Sequence, residues 1–96
     1  MSDESRYKLL TDLDRYELIN ISDGERYDFL QNNDIIIDDE GNLKYLIIKI
    51  GSKFSLFGSS TEFLEIPWSC VKKIGTKTII LDAEDEMIRK NSWYVN

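Results

Sequence analysis

Leu43-Lys44-Tyr45-Leu46-Ile47-Ile48-Lys49-Ile50 is apolar at nearly every position, and its two lysines stand near its ends. A short apolar run of this kind reads as a strand covered on both faces, with Lys44 and Lys49 placed where they reach water. Upstream lies the turn Asp39-Glu40-Gly41-Asn42, and before it Asp34-Ile35-Ile36-Ile37-Asp38. That segment is too short for a helix, β-branched and bounded by turn formers, so it reads as the partner strand.

The chain breaks again at Asn32-Asn33. Asp23-Gly24 is a tight-turn signal because both residues accept positive φ. It separates a returning strand near Glu25-Arg26-Tyr27 from an alternating one, Glu17 to Ser22, with Leu18 and Asn20 on one side and Ile19 and Ile21 on the other. In Leu9-Leu10-Thr11-Asp12-Leu13 the Thr and Asp can cap one short turn that the leucines dock. Residues 1–8 form a polar leader.

Downstream, Gly51 to Thr61 is a Gly/Ser-rich loop that carries Phe54, Leu56 and Phe57. Phe63-Leu64-Glu65-Ile66 is a strand stopped by Pro67. Trp68 to Lys73 makes at most a short turn of helix, closed by Gly75, and Thr78 to Leu81 is a last strand. Asp82 is placed to cap a helix over 83–91, with Glu84, Asp85 and Glu86 in its first turn and Arg89 and Lys90 at its end, an order that suits the helix dipole. Trp93-Tyr94 follows in an aromatic tail. The expected fold is mainly β: a small barrel of about six short strands over residues 9–82, then a short C-terminal helix and tail over 83–96.

Composition narrows function. Ninety-six residues make one domain, which buries roughly 60–65% of the surface its unfolded chain exposes. Histidine is absent, which removes the commonest general base and metal ligand. Cys70 is the lone cysteine and lies in an apolar stretch, so a buried, inert thiol in a reducing, cytoplasmic setting is expected. The N-terminus is not built like a signal peptide. Runs such as Leu46-Ile47-Ile48 are far below the ~20 residues of a membrane span, so no membrane insertion is expected.

The net charge of −6 opposes nucleic-acid binding, yet it is uneven. Residues 1–42 hold 12 acids and 4 bases, residues 43–81 hold 2 acids and 6 bases, and residues 82–96 hold 4 acids and 2 bases. Either the segments neutralise one another across paired strands, or the surface is dipolar with a basic face.

No catalytic group finds an activating partner, and no phosphate-binding glycine loop is present. Asp34, Asp38, Asp39 and Glu40 cluster at one turn, but their spacing lacks the alternating ligands of a calcium loop; turn chemistry explains them. Neither metal nor other cofactor is expected. Phe54, Leu56, Phe57, Trp93 and Tyr94 are the candidate interaction residues, either a lid on the core or a contact patch.

These segments together resemble the PRC-barrel domain. Asp23-Gly24-Glu25-Arg26, Asp34 to Asp38 and Gly41-Asn42-Leu43 are similar to its opening, and Ile66-Pro67-Trp68, Val71-Lys72-Lys73-Ile74-Gly75 and Ile79-Ile80-Leu81-Asp82 to its close. The Phe54-Ser55-Leu56-Phe57-Gly58 loop and the Leu13…Glu17-Leu18-Ile19-Asn20 start resemble the YlmC/YmxH subgroup from spore-forming Gram-positive bacteria. Asp28 stands where the family places Gly, and Arg26 and Asp34 are about two residues further apart than its pattern has them. A bulge in the second strand is therefore expected. The resemblance implies a non-enzymatic adaptor of the kind found in a ribosome-maturation factor and in the photosynthetic reaction-centre H subunit. Asp23, Gly24, Arg26, Gly41, Ile66, Pro67, Trp68 and Gly75 would be structural. It also implies a link to sporulation and an unknown protein partner. Separately from the resemblance, residues 83–96 suggest a two-fold homodimer, because so short a helix is ordered only if Met87, Ile88 and the aromatics dock. The alternatives from other classes are an RNA- or ribosome-associated factor using the basic middle segment, and a carboxylate-based metal or small-ligand binder.

Overall fold

The computed structural model describes residues 7–50 and 62–91. The expected loop Gly51–Thr61 and the tail with Trp93 and Tyr94 lie outside the described residues. A single helical turn, α1 (Leu10–Leu13), precedes eight strands: β1 (Glu17–Asn20), β2 (Glu25–Phe29), β3 (Asp34–Ile37), β4 (Leu43–Ile50), β5 (Glu62–Pro67), β6 (Val71–Ile74), β7 (Thr78–Leu81) and β8 (Arg89–Asn91). They form two four-stranded sheets, ordered β2-β1-β7-β6 and β3-β4-β5-β8. Every neighbouring pair is antiparallel except β1 and β7, which run parallel.

The expectation of a mainly β chain holds, while the closed six-stranded barrel gives way to two sheets. The core forms where their apolar faces meet: Leu18, Ile79 and Leu81 from the first sheet, and Leu46, Ile48 and Ile66 from the second, are essentially inaccessible to water. In β4 the consecutive residues Leu46, Ile47 and Ile48 are all buried, with Lys44 and Lys49 exposed. Both faces of that strand are covered at its centre, as its unbroken apolar run demands.

Two strands were not legible. Trp68–Cys70 is a single 3-10 turn, after which Val71–Ile74 pairs with β7; a three-residue turn leaves room for a strand where a helical stretch to Lys73 would not. The second correction is larger. No α-helix forms over 83–91; a 3-10 turn at Asp85–Met87 leads into β8, which pairs with β5 through Phe63↔Asn91, Leu64↔Lys90 and Glu65↔Arg89. Asp82 does not cap a helix; its N–H donates to the Cys70 carbonyl at 2.9 Å.

The cause is Asn20. Its side chain is fully buried on the Leu18 side of β1, in phase with the alternation. Asn20 Nδ2 donates to the Ala83 carbonyl at 2.9 Å, and the Ala83 N–H donates to Asn20 Oδ1 at 2.9 Å. A carboxamide carries the same donor and acceptor as a peptide group, so Asn20 pairs with Ala83 as another strand residue would. Both backbone groups of Ala83 are thereby engaged, which holds it in line with β7. A helix of about nine residues is also marginal by itself, because nucleation is costly.

The expected bulge is present. Glu17 pairs with Phe29 but Ile19 with Arg26, so β2 carries one extra residue, and Asp28 sits there with φ of 77°. Its Oδ1 accepts the Phe29 N–H at 2.7 Å and its Oδ2 a bond from Asn32 Nδ2 at 3.1 Å. These local bonds offset the strain of a side chain in left-handed backbone, which Asp tolerates better than most residues. Below the bulge, buried Asn33 joins the two sheets: Nδ2 donates to the Tyr27 and Phe29 carbonyls at 3.1 and 2.9 Å, and Oδ1 accepts the Lys49 N–H at 2.9 Å.

At the N-terminus the expected turn forms without its cap and docks only through Leu13; Leu9 and Leu10 are exposed. Trp68 is partly buried against the core rather than enclosed by it.

Two stability predictions follow from this packing. Asn20→Ala strands the buried N–H and C=O of Ala83 and should cost about 2–4 kcal/mol in urea unfolding, with Asn20→Leu giving no rescue. Trp68→Ala should cost about 1–3 kcal/mol by the same measurement, less than the ~3–5 kcal/mol of a fully buried aromatic.

Candidate functional site

Carboxylates are the most abundant charged groups of the sequence, and the structure shows what holds several of them. Asp23 Oδ1 accepts the Glu25 N–H at 2.8 Å and Asp38 Oδ1 accepts the N–H groups of Glu40 and Asn42, both at 2.9 Å. Asp34 Oδ1 accepts the Ile35 N–H at 2.8 Å. Each aspartate thus organises its own turn or strand start, as short acidic side chains do. Hydrogen bonding to the Asn42 N–H, foremost among its contacts, holds the Asp38 carboxyl below its ordinary range. Among the described residues, no three Asp, Glu or Cys side chains converge to hold a metal ion.

The residues expected to be structural are distributed along these turns and ladders. Gly24 adopts φ of 73° in the β1–β2 turn and Gly41 φ of 87° in the β3–β4 turn, conformations that a side chain would strain. Arg26 forms an ion pair with Glu17 across the bulged pair, Nη1 to Oε2 at 3.4 Å, on an exposed face where such a pair contributes little. Ile66 lies in the core opposite Leu46, Pro67 ends β5 opposite Tyr45, and Trp68 opens the 3-10 turn. At Gly75 an added Cβ would approach Thr78 Oγ1 to 2.9 Å, a contact that the Thr78 side chain would have to move to relieve. Phe54, Leu56, Phe57, Trp93 and Tyr94 lie outside the described residues.

Cys70 is buried, and that burial raises its thiol pKa, which suits a packing role. It borders an open groove of about 360 Å³ lined also by Ser69, Lys72, Asp82, Glu84, Glu86 and Met87. Of the described lysines of the middle segment, Lys44 and Lys49 belong to the second sheet, and Lys72 and Lys73 to the outer strand of the first. No described helix is long and apolar enough to cross a membrane.

The polar centre that sequence reading missed is the network around Asn20. Asn20 Nδ2 approaches the Tyr27 hydroxyl at 3.3 Å, and that hydroxyl donates to Asp23 Oδ2 at 2.8 Å. Its only signal in the sequence was a polar residue in the core phase of an alternating strand. Burial pushes the Tyr27 phenol up to about 12, with the Asp23 carboxylate reinforcing it. Burial also pushes Asp23 upward, but the bonds from the Glu25 N–H, Tyr27 and Asn20 outweigh it, and its carboxyl sits below its ordinary value. A raised folded-state tyrosine pKa gives stability that is complete below pH ~10 and lost as pH rises toward about 12. Tyr27→Phe should therefore reduce the fall in denaturation midpoint expected of the unaltered chain as pH rises from ~10 toward about 12.

Some of the exposed surface is apolar. Tyr7, Leu9 and Leu10 are 74%, 67% and 68% exposed, and Ile21, Ile37 and Met87 also face water. Side chains of this size exposed next to one another mark a contact surface more often than a catalytic one.

Comparison with known proteins agrees with this picture. The PRC-barrel domain model matches residues 6–88. The uncharacterized protein YmxH of Bacillus subtilis (strain 168) is 32% identical over 79 residues, covering 81% of this chain and 92% of its own. No solved structure matches the chain. Neither match indicates a catalytic family. With the closing motif in place on β5 to β7 and the model spanning nearly all described residues, the chain belongs to the PRC-barrel domain family.

Proposed function

We propose that this chain is a non-catalytic interaction module that acts by binding a protein partner or further copies of itself, in connection with sporulation. The observation that carries the reading is the exposed run Tyr7, Leu9 and Leu10, set on a small domain in which Asp23, Asp34 and Asp38 bind backbone N–H groups and the thiol is buried. A domain of this size has little apolar surface to spare, and leaving three such side chains in water suits a surface covered in a complex. The sporulation link is supported by the likeness of the chain to a subgroup from spore-forming bacteria and by its similarity to YmxH of Bacillus subtilis.

Tyr7→Ser with Leu10→Ser should change stability by about 0.5 kcal/mol or less, as substitutions of exposed side chains do, while weakening partner capture from sporulating cells at least tenfold. Phe54→Ser with Phe57→Ser tests the second proposed contact segment in the same assay. Unchanged capture and unchanged mass in light scattering for both double variants would overturn the reading.

A further inference from the structure

The second sheet ends in two strands of opposite charge. Among the described residues, nothing pairs with the outer edge of β3 or of β8. Asp34 opens β3 and Asp38, Asp39 and Glu40 follow it, with no basic residue between Arg26 and Lys44. β8 is Arg89-Lys90-Asn91, with Arg89 and Lys90 exposed and no acid after Glu86. On the acidic side Ile37 is 54% exposed, and Leu43, its partner across the β3–β4 pair, is 38% exposed.

We propose that the basic edge β8 of one copy adds to the acidic edge β3 of the next, continuing the second sheet head to tail. The proposal rests on the self-association form of the reading above.

Direction and charge both select this arrangement. Because β3, β4, β5 and β8 alternate in direction, β3 and β8 run opposite ways. A second copy displaced along the sheet therefore brings its β3 antiparallel to β8, and the ladder continues without a break. A two-fold pairing of β3 with β3 would bring two acidic edges together, and β8 with β8 two basic ones, each opposed by like-charge repulsion. Only the head-to-tail pairing opposes unlike charges. Asp34 also guards its edge: its carboxylate is turned back onto the Ile35 N–H, covering a donor on that strand. An incoming guanidinium or ammonium competes for that carboxylate, so the edge admits a basic strand more readily than a neutral one. With only three residues on β8 the contact is small, and the association is weak and salt-sensitive. A heterologous contact of this kind lengthens with concentration rather than stopping at a dimer.

The test is sedimentation of the full chain over a concentration series at ionic strengths of about 0.02 and 0.5 M. The unaltered chain should grow in average mass with concentration at low salt and return to monomer at high salt. Asp34→Lys alone, and Arg89→Glu with Lys90→Glu alone, should each remain monomeric at low salt. An equimolar mixture of the two variants makes both edge pairings complementary again and should recover the growth in mass, which a merely misfolded variant could not do. A chain that is monomeric throughout, or a mixture no heavier than its separate components, overturns the proposal. Association that ignores salt and both charge reversals also overturns it, while leaving self-association through another surface standing.

Discussion

A carboxamide in a core must meet a donor and an acceptor at once, and Asn20 meets both on the backbone of a single residue, Ala83. The pairing works because Ala83 follows β7, which already lies parallel to β1 from Glu17↔Thr78 to Asn20↔Leu81. The side chain prolongs that ladder beyond its last backbone partner, where the Ile21 N–H donates to the Leu81 carbonyl. Once Ala83 is held, the path of the chain after β7 is directed away from a helix and toward the edge of β5, and β8 exists as a consequence. Removing either member would leave a buried polar group without a partner, which is more expensive than the bond itself is favourable.

Asn33 does for the relation between sheets what Asn20 does within one. Its amide takes two carbonyls of β2 and its oxygen one N–H of β4, so the bulged end of the first sheet is tied to the central strand of the second. Apolar contact among Leu18, Leu46, Ile48, Ile66, Ile79 and Leu81 supplies most of the driving force, but it has no direction of its own. The two buried asparagines add direction, and every buried side-chain nitrogen and oxygen among the described residues has a partner.

The acidity of the first half has a related meaning. Asp23, Asp28, Asp34 and Asp38 each accept a backbone N–H close in sequence, so they shape turns, a bulge and a strand start. Their charges leave the acidic field of the β3 side as a property that other molecules can sense. The membership of the chain in a domain family without an indicated chemistry fits a surface whose distinguishing features are charge and exposed apolar side chains.

Much of this was determined by the sequence alone. The unbroken apolar run of β4, the turns at Asp23-Gly24 and Gly41, the alternation of β1 and the bulge at Asp28 all depend on residues adjacent or nearly so, and local backbone preference and alternation report on such neighbours. The closing motif Ile66-Pro67-Trp68 through Gly75 was enough to point to the family. Tertiary structure decided the rest. Residues 83–91 have the charge order of a helix, yet Ala83 is captured by a side chain 63 positions earlier and Arg89–Asn91 by the edge of β5. Trp68 is only partly covered because the turn that carries it is one short 3-10 turn on the flank of the core. Charge order and propensity contribute tenths of a kcal/mol per residue, and a buried hydrogen-bonded pair contributes more. Where the two compete, the partner that the fold brings from far along the chain wins, and no local reading of these residues could have named it.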